Sequence, residues 1–145
     1  MKAGLRVFVD SDVVISSLIS TAGAANLLIN QTKMKKFISN FSVKELKLVI
    51  KKLNLKQKQL DQVIKKKLTI VKLKQDLRLI KKNYGKYVTD ENDSHVAAGA
   101  KAARTDFLVS YNLKHFQRNL IKKNLKIIIM RPGEFLQFLR SGVVK

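Results

Sequence analysis

Short continuous apolar runs alternate with longer amphipathic stretches along this chain. Leu5–Val9 (LRVFV), 36–41 (KFISNF), 107–110 and 125–130 (LKIIIM) read as buried strands, and Thr69–Val71 as a short strand or turn. Apolar positions at helical spacing predict helices over 13–19 and 24–30, with Gly23 as a break between them. Further helices are predicted over 42–53, 54–68, 74–82, 90–104 and 113–122. Pro132 suits the first turn of a last helix, GEFLQFL.

Strands alternating with helices imply an α/β fold, with three layers and a central, mainly parallel sheet of four or five strands. Continuous apolar strands suit burial on both faces. Ligands of such sheets bind beyond the carboxyl ends of the strands. Asp10 therefore belongs to the same edge as Ser110, Tyr111 and Asn112, whereas Asp106 precedes its strand and belongs to the opposite edge.

The 145 residues, 46% of them hydrophobic, predict one domain over 1–145 with a true core. No apolar run is long enough to span a membrane. Met1 and Lys2 lead directly into a strand pattern, so no signal peptide is expected. The absence of cysteine excludes disulfides and thiolate metal sites and is compatible with the cytoplasm. Charge changes the picture most. Thirty Lys+Arg against ten Asp+Glu give a formal +20, an excess that repels itself and that nucleic-acid phosphates would offset. Nucleic acid is the commonest partner of this kind; a lysine-rich bias in composition and an acidic protein partner are the plainer alternatives.

With so few acids, their grouping is informative. Asp10 and Asp12 follow the first strand, Glu45 lies early in the helix after the second, and Asp90, Glu91 and Asp93 open the Ala-rich helix. Each has an ordinary structural explanation. Asp10 or Asp12 could cap a helix, Ser42 and Glu45 match a capping box, and the third group could be first-turn acids. Jointly they bring carboxylates from three segments to one sheet edge, where like charges repel unless a cation intervenes. Oxygen donors without cysteine or a histidine cluster suit Mg²⁺ or Mn²⁺. The lysines of SVKELKLVIKKL and QVIKKKL are candidates for holding a phosphate backbone. His95 and His115 are isolated in sequence and show no ligand spacing.

VFVDSDVVISSLIS, FISNFSVKELKLVI, DENDSHVAAGAKAARTDFLVSYNLKHF and IIIMRPGEFLQFL together resemble, in order and spacing, the segments of the PIN domain family. Those are metal-dependent ribonucleases, many of them toxins of toxin–antitoxin pairs. The resemblance spans almost the whole chain. It implies a ribonuclease with Asp10 as first metal ligand, Glu45 as second acid and Asp93 as third. Asp90 matches the preceding acid of the Asp-x-x-Asp pattern, and Asn112 a position that is often a fourth acid. Ser11 and Ser110 match small hydroxyl positions nearby. It further implies RNA as substrate, a cognate antitoxin and homodimerisation. Two departures stand out: Asp12 replaces the family's usual Asn, and Asn112 stands where Asp is common. The first adds a charge to the metal set and the second removes one.

Two other readings fit parts of the sequence. The Asp10-x-Asp12 pair after a strand also matches a haloacid-dehalogenase-like phosphatase. There Asp10 would be a covalent nucleophile and Asp12 its acid/base, with Asp90 or Asp93 on Mg²⁺ and Ser42 as the hydroxyl after a strand. The +20 charge is odd for a small phosphorylated substrate. Asn112 instead invites a catalytically degenerate PIN-fold module that binds RNA or an antitoxin.

Overall fold

The computed structural model describes residues 4–142. Five strands, β1 (Leu5–Val9), β2 (Met34–Ser39), β3 (Thr69–Val71), β4 (Phe107–Val109) and β5 (Ile128–Met130), form one sheet in the order β3-β2-β1-β4-β5. Every pairing is parallel. After β1 the chain steps outward through β2 to β3, then returns to the far side of β1 for β4 and β5. The direction therefore reverses between β1 and β4. Beyond the carboxyl ends of those two strands lies the crevice where ligands of parallel sheets bind.

Side-chain alternation divides the core into two layers. Val7, Val9, Phe107 and Val109 face α1 (Ser11–Ile19), α2 (Ala24–Ile29), α3 (Asn40–Lys52), α4 (Gln57–Lys67) and α8 (Pro132–Arg140). Phe8, Phe37 and Leu108 face the other way, against α6 (Ser94–Ala102) and α7 (Arg118–Leu125). α5 (Leu77–Tyr84) closes that second layer through Ile80, which packs with Leu73 and Ala98. Gly99 is what brings α6 so near the sheet. A Cβ there would stand 2.7 Å from the Phe8 ring, so only glycine fits. That close approach carries the start of α6, and Asp93 with it, toward the strand ends. No helix among the described residues is long and apolar enough to cross a membrane.

Several element boundaries differ from those the sequence predicts. β2 runs from Met34 to Ser39 instead of 36 to 41, and Lys36 within it is buried. Its ammonium donates to the carbonyls of Ile29 (2.7 Å) and Gln31. Burial, with Lys67 nearby, lowers its pKa to about 8. α3 begins at Asn40, with Ser39 rather than Ser42 as the cap: its hydroxyl accepts from Ser42 N. The expected helix over 90–104 is a 3-10 turn at Glu91–Asp93 followed by α6. The expected helix over 113–122 divides in the same way into a 3-10 turn at Leu113–His115 and the later α7. The helix expected over 74–82 begins at Leu77, capped by the Asp76 carboxylate, and the last strand is only Ile128–Met130.

Candidate active site

The site is built where β1 and β4 end. The backbone N–H of Asp10 donates to Val109 O at 3.0 Å, and that of Ser110 to Met130 O at 3.0 Å. Both residues are thus fixed by the continuing ladder. Asp10 caps α1, with Oδ1 accepting from Ser11 N at 2.8 Å. Capping explains only half of this carboxylate, since Oδ2 accepts from the Ser110 hydroxyl at 2.8 Å. That hydroxyl is a hub: it also lies 3.4 Å from Asp12 Oδ2 and accepts from Asn112 N at 3.0 Å.

Asp12, in the first turn of α1, reaches across the sheet seam. Its Oδ2 accepts from Tyr111 N at 3.1 Å and from Asn112 Nδ2 at 2.9 Å. The two positions that depart from the family pattern are therefore hydrogen-bonded to each other. Asn112 directs its amide nitrogen to Asp12, leaving its amide oxygen as the group that could serve a metal. Asp12 Oδ1 is buried and has no hydrogen-bond partner.

Glu45 does not close a capping box with Ser42, because α3 starts earlier. From the second turn it instead places Oε2 3.3 Å from His95 Nε2 and Oε1 3.4 Å from the Ser11 hydroxyl. His95 is buried on α6 and stacks on Phe41, with ring centroids 5.7 Å apart. Asp93, just before α6, lies 3.8 Å from His115 Nδ1. Asp90 is exposed and accepts from Asn92 N at 3.0 Å, capping the 3-10 turn.

The electrostatics are those of crowded acids. Burial, then the charge of Asp12, raises the Asp10 pKa to about 7, and Glu45 adds to the rise. Burial raises Asp12 despite the hydrogen bonds it accepts from Tyr111 and Ser110. Burial also raises Asp93, which feels the charges of Asp90 and Glu45 and is partly offset by His115. Glu45 thus stands within electrostatic reach of both Asp10 and Asp93.

Donor chemistry fits a hard divalent cation: several carboxylates, a serine hydroxyl, an amide oxygen and one orphaned buried carboxylate oxygen. Among the described residues, however, no three acidic or histidine side chains already cluster tightly enough to enclose an ion. Glu45 and Asp93 each face a histidine instead. Neither histidine contact is visible in the sequence, because each joins segments far apart in the chain. The one local signal is the placement of His95 two residues after Asp93, at a helix start.

No curated protein matches the chain. A chain of VapBC2 from Rickettsia felis, solved bound to a DNA fragment from its promoter, superposes with a TM-score of 0.56. The two share 15% identity over 88% of this chain and 98% of that one. A chain of FitAB bound to an IR36 DNA fragment gives a TM-score of 0.59, again at 15% identity, over 87% of this chain and 94% of that one. At such identity the likeness establishes the fold. The sequence pattern of the PIN domain matches residues 6–114. The chain belongs to the PIN domain family.

Proposed function

We propose that this protein is a divalent-metal-dependent ribonuclease that hydrolyses RNA phosphodiester bonds, acting as the toxin of a toxin–antitoxin pair in the cytoplasm. The carrying observation is the junction around Ser110. There Asp10 and Asp12 meet at the reversal point of the sheet, burial raises both their pKa values, and one Asp12 oxygen has no partner. Such an arrangement is costly unless a cation occupies it.

Asp10, Asp12, Glu45 and Asp93 would hold Mg²⁺ or Mn²⁺, with Asp90 and Asn112 at the margin. The bound ion would supply an activated water and neutralise charge on the phosphodiester. Ser110 orients both Asp10 and Asp12. His95 steadies Glu45, whose carboxylate is the group best placed to orient a water near Asp10. The +20 charge as a whole attracts RNA at long range. VapBC2 and FitAB give this fold its setting, and a cognate antitoxin and a homodimer belong to the same proposal.

Asn112 favours a second reading, a degenerate module that binds RNA or antitoxin without cutting. Its hydrogen bond to Asp12 argues for activity, because the charge absent at 112 stands at its immediate neighbour. The phosphatase reading falls with membership of the PIN family. The test is incubation of the purified protein with mixed RNA in Mn²⁺ or in chelator. Cleavage in Mn²⁺ that chelator and Asp10→Asn both abolish is expected. RNA bound but intact in Mn²⁺ would support the degenerate module, and label transferred from a phosphate ester to Asp10 would revive the phosphatase.

A further inference from the structure

Beside the acidic site, a long open groove of about 1040 Å³ runs between α7 and the edge strand β5, starting at Leu113 and Lys114. Those two residues immediately follow Asn112. Lys114, Arg118, Lys122, Lys123 and Arg131 line the groove, and no acidic residue does. All five side chains are exposed. Two are partly engaged: Arg118 donates weakly to Ile129 O at 3.5 Å, and Arg131 lies 3.6 Å from Glu134 on α8. Ile128, on the outermost strand, is an exposed apolar side chain in the same groove.

Resting on the ribonuclease reading, we propose that this groove is the track for the single-stranded RNA backbone on one side of the scissile bond. Charge complementarity selects the occupant. A second copy of this chain, meeting it across a twofold axis, would bring the same five cations face to face. A polyanion gains from them by releasing counterions. The groove is also continuous in sequence with the site: the 3-10 turn at Leu113–His115 joins Asn112 to its basic wall. Tyr111, exposed at the site itself, offers a ring on which a base can stack. The lysines of α4 stand on the opposite layer of the sheet from α7, so they provide an internal control of equal charge.

The experiment measures binding of a fluorescent oligouridylate to the full-length protein in chelator, over a range of salt, so that cleavage plays no part. Arg118→Ala/Lys122→Ala/Lys123→Ala should weaken binding by about 10- to 100-fold at low salt. Its log–log salt slope should fall by about 2, at roughly 0.7 for each phosphate no longer neutralised. Lys65→Ala/Lys66→Ala/Lys67→Ala removes the same charge from α4 and should weaken binding less than about 3-fold. Because Arg118 touches β5, a Lys122→Ala/Lys123→Ala variant that keeps it serves as a second arm, with melting curves confirming the fold of each. Equal weakening by both triple variants would overturn the proposal in favour of net charge. Unchanged binding in the α7 variants would also overturn it, and a change in their oligomeric state would then identify the groove as a contact between copies. Cleavage of the same RNA in Mn²⁺ is scored separately, so failure of the nuclease reading is distinguishable from failure of the groove.

Discussion

β1 and β4 run side by side, and each end of their seam carries an aspartate against backbone amides. At the amino end, Asp106 accepts from Arg6 N at 3.3 Å. The Arg6 guanidinium forks onto Ala103 O at 3.0 and 2.8 Å and lies 4.5 Å over the Phe37 ring. At the carboxyl end, Asp10 and Asp12 share the Ser110 hydroxyl. Among the described residues no lysine or arginine pairs with either of them there. With thirty basic residues in the chain, this contrast between the two ends is what the proposed metal site rests on. The same residue type is structural at one end and, in the proposed function, reactive at the other.

The sharpest way to break this contrast is activity. Asp10→Asn should reduce Mn²⁺-dependent RNA cleavage on the order of 10³-fold or more, whereas Asp106→Asn should change it only through stability. Comparable reductions in both would erase the distinction. A finer test addresses the two departures from the family pattern. Asp12→Asn should lower cleavage about 100-fold, and adding Asn112→Asp should recover most of it. A double-mutant cycle measures that coupling directly, and simple additivity would show that Asp12 does not carry the charge missing at 112.

The smallest effect is on stability without metal, and its sign is specific. Asp10 has a folded pKa of about 7 against 3.8 unfolded. Between those values the native state holds the extra proton, so this group's contribution to stability is present at low pH and is lost as pH rises through the folded value. In chelator near pH 8, Asp10→Asn should therefore raise the melting temperature by about 2–4 °C, with the gain vanishing near pH 4. Asp106→Asn should lower the melting temperature, since it weakens an acceptor of the Arg6 amide. Melting curves of both variants across pH distinguish the two ends.

Much of this is legible in the sequence where local pattern and tertiary role agree. Four of the five residues of LRVFV are apolar and buried, and its strand is legible to the residue. The carboxylates at strand and helix ends follow from the topology of a parallel sheet. Legibility fails where a distant partner overrides local chemistry. Lys36 follows Lys35 and has the look of a solvent-facing residue, yet carbonyls at and just beyond the end of α2 allow its burial within β2. The contact of His95 with Glu45 and the reach of Asp12 to Asn112 join residues with no sequence relation. Ser42 and Glu45 show the reverse failure: a correct-looking capping box is displaced by the cap at Ser39. Local motifs propose the acids, and only the fold reveals which are already satisfied.

The most direct measurement is the melting temperature of native protein and Asp10→Asn as Mn²⁺ is titrated near neutral pH. A cation-seeking carboxyl edge predicts a concentration-dependent rise in the native protein that Asp10→Asn loses. An equal rise in both proteins, or none in the native one, would contradict it.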